Sequence, residues 1–200
     1  MNFKKLQAMQ LELDNSILSA KPQMTAEERF NKTLVALSVE VAEVSNCSEH
    51  FKFWKDNKGK VDGERFVVGY AISESSERTC YEVNRNMNKI TESQAHKLTL
   101  VEECSDALHF ILSLANQLNV DIGLNFDKNN TLTLKTNEEY YLFLLNRIHL
   151  LKVRRWEDDL RITLYSFLGY IENLGITTQE LEQAYYDKNK VNYERLREGY

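Results

Sequence analysis

Proline occurs once, at Pro22, and glycine seven times in 200 residues. So few breakers exclude the many tight turns of a sandwich or barrel and point to long helices. Cysteine is scarce and odd in number: Cys47, Cys80 and Cys104 show no C-x-x-C spacing. Neither a disulfide framework nor a zinc site is expected from them, and a reducing cytoplasm is the simplest setting. No apolar run is long enough to cross a bilayer. The opening MNFKKLQAMQLELDNSIL is too interrupted by polar residues for a signal peptide and reads as an amphipathic helix. Basic charge is not in excess either, since 25 Lys and Arg face 30 Asp and Glu for a net charge of −5. Neither nucleic acid nor a membrane is therefore an expected partner, and any recognition of phosphate has to be local.

What is present is 42% apolar content, enough for one core in a single domain spanning 1–200. The expected fold is all-α, a bundle of about six helices. A first helix is expected from Phe3 to Ser19, ending near Pro22. A second begins after Thr25, with Glu27 and Glu28 in its first turn, and runs towards the aromatic cluster Phe51 to Lys55. A third is expected from Leu98 to Leu118, and three more over Glu138–Val153, Trp156–Asn173 and Thr178–Arg197, the last capped by Thr177 or Thr178. The stretch 57–97 reads as an insertion, irregular or with a small extended part. Within it RFVVGYAI fits a short strand or a buried helix equally well. Asp121 to Asn137 is loop-like, with TLTLKT alternating weakly as an extended piece.

The chemistry-bearing feature is a set of four acids in two pairs, Glu40 and Glu43 in SVEVAEVSN, and Glu103 and Asp106 in VEECSDALHF. A gap of three residues puts both members of a pair on one helix face, where their carboxylates can share a cation. At about 100° per residue, Glu40 falls between Ala36 and Val44, and Glu43 between Ala36 and Val39, inside the apolar stripe rather than opposite it. Glu103 and Asp106 lie at the edge of an apolar arc running through Cys104, Ala107, Leu108 and Ile111, while Glu102 points further away. Ionised carboxylates in such places are costly unless paired or metal-bound. Two acidic faces brought together make an all-oxygen site for hard divalent ions such as Mg²⁺ or Mn²⁺. One E-x-x-E alone is usually a solvated helix face; a second pair beside apolar residues is what raises the metal reading.

The acid pairs and their flanks resemble the dimeric, all-α dUTPases, relatives of the MazG-type nucleoside triphosphate pyrophosphohydrolases. The likeness is carried by four blocks in order: MQLELD, VEVAEV followed by FKFW, EECSDALHF, and AYYDKNKVNYERLREGY. The resemblance implies that Glu40, Glu43, Glu103 and Asp106 hold two or more Mg²⁺ ions. It also implies that Gln10 and Asp14 contribute to a nucleotide pocket, that Trp54 forms a wall of it, and that His109 and Phe110 contact the deoxynucleoside. In the last block, Lys188, Asn192 and Arg195 share a helix face at K-x-x-x-N-x-x-R spacing. They would bind the phosphate tail, with Tyr200 of the terminal Gly-Tyr beside it.

The implied activity is Mg²⁺-dependent hydrolysis of dUTP to dUMP and pyrophosphate, with Glu40 as the base, in a homodimer of cytoplasmic location. Asp14 departs from the Asn found in many members, and a carboxylate only accepts hydrogen bonds where an amide also donates. Another deoxynucleotide such as dCTP therefore stays open as substrate. A different class of reading is a non-catalytic helical interaction protein that uses the 57–97 stretch and leaves its acids solvated. On their own, Trp54, His109 and the basic last helix would be read as core ring, ordinary histidine and solvated helix end.

Overall fold

A computed structural model describes residues 1–69, 78–83, 87–123 and 133–199. Six helices dominate: α1 (Phe3–Ala20), α2 (Ala26–Ser48), α3 (Glu92–Gln117), α4 (Asn137–Arg154), α5 (Glu157–Asn173) and α6 (Thr178–Arg197). Their starts are written locally. Thr25, Thr91, Thr136 and Thr177 each cap a helix by accepting from the N3 backbone N–H, while Glu28, Gln94, Glu139 and Glu180 return the bond to the cap. Each such box satisfies two of the backbone donors that a helix start leaves over. The expected all-α bundle is therefore observed.

Helix α3 is the central rod and packs against α1, α2, α5 and α6, while α4 packs on α2 and α5. Leu37, Val41 and Val44 of α2, Ala107, Leu108 and Ile111 of α3, and Leu164 and Phe167 of α5 are all essentially inaccessible to solvent. Burial of each large apolar side chain contributes about 1.5–3 kcal/mol. This clamping fixes the rotation of α2 and α3 about their axes. The rotation in turn decides which way their acids face.

Helix α3 begins at Glu92 rather than Leu98. The T-x-x-Q box of Thr91 and Gln94 starts it two turns before the apolar period becomes obvious. The inserted stretch forms a three-stranded antiparallel sheet in the order β1 (Phe66–Val68), β2 (Thr79–Glu82) and β3 (Asn88–Thr91), with Cys80 opposite Val68 on one side and Ile90 on the other. Of the two readings of RFVVGYAI, the strand is the one observed over Phe66–Val68; Tyr70 to Ile72 lie outside the described residues. Phe66 and Cys80 pack with Ala95, a small satellite core that seats the sheet on the first turns of α3. Within TLTLKT, Thr131 and Leu132 lie outside the described residues, and Thr133 to Thr136 form no strand. No described helix is long and apolar enough to cross a membrane.

Candidate metal and nucleotide site

Glu40, Glu103 and Asp106 each offer a carboxylate oxygen within 4.8 Å of the others. They arrive from α2 and α3, whose apolar flanks are clamped in the core, so the acids are held half-buried at the edge of the packed interface. Burial comes first among the causes that push the Glu40 carboxyl up to about 7, followed by the charge of Asp106 and then of Glu43. Glu103 is likewise raised to about 7, by burial and then by Asp106 and Glu40. Asp106 is raised too, again chiefly by burial. Three crowded carboxyls, all with raised proton affinity, form a donor set suited to a hard divalent cation, which would relieve the repulsion.

Glu43 is exposed and donates nothing to the three-acid group; Asn46 Nδ2 donates to its Oε2 at 3.2 Å. Its charge nevertheless raises both Glu40 and Glu103, so it stands close to the cluster. A cation is already there in the form of the Lys188 ammonium, 2.7 Å from Asp106 Oδ2 and 3.1 Å from Glu102 Oε1. Burial works to lower Lys188, yet Asp106 and Glu102 hold it above the usual lysine range.

Beside the acids lies a cavity of about 350 Å³ lined by Gln10, Asp14, Glu40, Asp106, His109, Phe110, Lys188, Asn192 and Arg195, among others. Four separated stretches of sequence meet there. Gln10 Nε2 donates to Asp14 Oδ1 at 2.8 Å, which turns its Oε1 towards His109 Nδ1 at 2.6 Å and the Tyr185 hydroxyl at 3.1 Å. The His109 ring is therefore the Nδ1–H tautomer. Burial, then Lys188, holds it down to about 3 and so neutral. Its ring stacks on Tyr185 with centroids 4.1 Å apart, and its Nε2 has no hydrogen-bond partner. Asp14 accepts at Oδ2 from Ser113 Oγ at 2.7 Å and from Arg29 at 3.0 Å.

Not every expected residue is gathered. Trp54 is 66% exposed and does not line the cavity; its ring meets the edges of Phe51 and Phe53 instead. The turn that carries it is held by Glu49, whose carboxylate receives Lys52, Lys55 and the Gly59 N–H. Tyr200 lies outside the described residues. Sequence reasoning overlooked Arg29, Ser113 and Tyr185, and set Glu102 aside as pointing away from the acid pair. Helical spacing could have found Ser113, which follows Asp106 and His109 on one face of α3. The pairing of Glu102 with Lys188 had no signal in either segment.

An all-α bundle that sets acids of two helices against cations of a third, around one cavity, is built to receive a polyanion with its counter-cations. The family model for dUTPase matches residues 2–71 and 85–200. The chain belongs to this all-α dUTPase family, and its activity is that of a dUTP diphosphatase. No curated protein matches the chain. The internal residues outside the match, 72–84, include β2, whereas β1 and β3 lie within the matched residues.

Proposed function

We propose that the protein hydrolyses dUTP between the α and β phosphates, releasing dUMP and pyrophosphate, with Mg²⁺ held by Glu40, Glu103 and Asp106 and joined by Glu43. The observation that carries this is the three-carboxylate cluster with its raised affinity for positive charge. Divalent cations bound there would lower the pKa of an attacking water and offset charge on the leaving phosphates. Glu40, poised near neutrality, would take the proton of that water, while Glu103 and Asp106 serve as ligands. Lys188, Asn192 and Arg195 would grip the phosphate tail from α6, with Arg offering parallel donors. Tyr200 would join them.

Gln10 and Asp14 would meet the base, and His109 and Phe110 the deoxyribose. The neutral imidazole of His109 keeps a buried acceptor at Nε2 without a partner, and a sugar hydroxyl entering the cavity would satisfy it. Trp54 would reach the nucleotide by a movement of its turn or from a second copy, in keeping with the homodimer that the resemblance implies. Three buried cysteines outside any disulfide would suit a reducing cytoplasm.

A second reading of the base has its own support. Asp14 can only accept, and the exocyclic amine of cytosine donates, so dCTP is a rival substrate. Pyrophosphate release from dUTP, dCTP, dTTP and UTP, with and without Mg²⁺, decides between them. Turnover is expected only with the metal and fastest with dUTP. Equal rates for all four, or full activity in excess chelator, would defeat the proposal.

A further inference from the structure

The cavity beside the acids is not the largest opening on this side of the molecule. A groove of about 790 Å³ runs between the inserted sheet and helices α3 and α6, and Arg65, Glu82, Glu102 and Lys188 line it. Lys188 is shared by groove and cavity, whereas Glu102 and Arg65 line only the groove. A chain of charged contacts runs along this boundary. Arg65, in the turn just before β1, donates through Nε and Nη2 to Glu82 Oε1 of β2 at 2.9 and 2.8 Å, and Glu82 is 4% exposed. The Arg65 guanidinium lies over the Phe66 ring, 5.0 Å from its centre. Its remaining fork reaches across to α3, where Nη1 donates to Glu102 Oε2 at 2.9 Å. The other oxygen of Glu102 holds the Lys188 ammonium.

The division of labour at Glu102 is what matters. One carboxylate oxygen is taken by a guanidinium that packing and a buried acid hold rigid, so the other oxygen is presented in a fixed direction. Lys188 is a long, flexible cation with several rotatable bonds, and restraining it has an entropy cost that must fall either on substrate binding or on the fold. A cation bound at Asp106 would compete with the ammonium for that carboxylate. Glu102 would then be the acceptor that keeps Lys188 at the rim of the cavity rather than on the acids proposed to hold the metal.

We infer that Glu102 and Arg65 are positioning residues for Lys188, through which the inserted sheet, from outside the nucleotide cavity, sets the geometry of phosphate binding. The inference rests on the proposed role of Lys188 as a phosphate ligand. It assigns a task to the first acid of the EECSD block, which stands outside the proposed metal set, and to a sheet given none so far.

A double-mutant cycle tests it, with inorganic pyrophosphate as the probe in saturating Mg²⁺ and calorimetry as the readout. Glu102→Gln keeps the shape of the side chain and is expected to weaken pyrophosphate binding about tenfold. In a Lys188→Met background the same change should cost less than about twofold, because a residue that acts only through Lys188 has nothing left to act on. Kinetically, Glu102→Gln should raise KM for dUTP about tenfold and alter kcat by less than about twofold. Arg65→Gln should reproduce this split, and Arg65→Lys should restore part of it. Since Arg65→Gln also takes a partner from buried Glu82 and risks the sheet, Glu102→Gln carries the decision.

An equal loss in both backgrounds would show that Glu102 acts independently of Lys188, and no loss in the native background would show that it does nothing; either overturns the inference. Coupled pyrophosphate binding in a protein that releases none from dUTP would refute the proposed reaction and leave the positioning role standing. Additive losses in an active enzyme would do the reverse.

Discussion

Glu40 and Glu49 lie nine residues apart, at the middle and the end of the same helix, and their surroundings drive them in opposite directions. Glu49 is buried at the left-handed cap of α2, and burial alone would raise its pKa. Lys52, Lys55 and the Gly59 N–H outweigh that and hold it down to about 2. Glu40 is also pushed up by burial, but its neighbours are Asp106 and Glu43, and it rises to about 7. One carboxylate has been given every partner it can use and anchors a turn. The other has been surrounded by its own kind and waits for a cation. The difference separates an acid that anchors a turn from one proposed to bind a cation more sharply than burial does.

Neutralising each acid should break this contrast in opposite ways. The largest effect is expected from Glu103→Gln, which should reduce dUTP hydrolysis at least about a thousandfold. The same change should raise Tm in chelator, because it removes a like charge from the cluster, and should abolish the Mg²⁺-induced rise in Tm. Glu49→Gln should do the reverse. Loss of charge-assisted bonds to two lysines is expected to lower Tm by about 5 °C with or without metal. Thermal scans with and without Mg²⁺ check both, and a parallel response of the two variants would erase the distinction.

Glu43 sharpens the comparison, since it is the exposed member of the four acids. Glu43→Gln should raise the Mg²⁺ concentration for half-maximal activity about tenfold yet cost less in kcat than Glu103→Gln. A loss as deep as that of Glu103→Gln would make it an equal ligand.

The smallest effect concerns pH. Glu103 has a folded pKa of about 7, above the ordinary 4.5, so the native state holds the extra proton between those values. The stability this contributes is present below about 4.5 and is lost as pH rises through 7. In chelator, the wild type should therefore match Glu103→Gln near pH 4.5 and fall progressively below it towards pH 7.5. A flat difference in Tm across that range would contradict the raised value.

The bundle and the acid cluster were legible in the sequence because both rest on helical period. Glu40, Glu103 and Asp106 stood beside apolar neighbours that had to be buried, and burial carried the acids with them. The start of α3 was misjudged for the converse reason. Its first two turns are polar apart from Ala95, and only the hydrogen-bonding pattern of Thr91 and Gln94 marks them. The contacts of Lys188 with Glu102, and of Arg65 with both Glu82 and Glu102, join segments tens of residues apart. No local pattern records which surface charges meet across packed elements. Trp54 shows the limit of family likeness: its block matches, yet its orientation follows from the clamp at Glu49.

The four threonine caps carry a consequence for how such a chain can diversify. Because Thr91 and Gln94 define where α3 starts, the angular phase of every later residue on that helix is counted from the cap and not from whatever precedes it. Lengthening or trimming the strands upstream leaves the register of Glu103, Asp106, His109 and Ser113 untouched. Ornament can accumulate at the door of the catalytic rod without turning the key inside it.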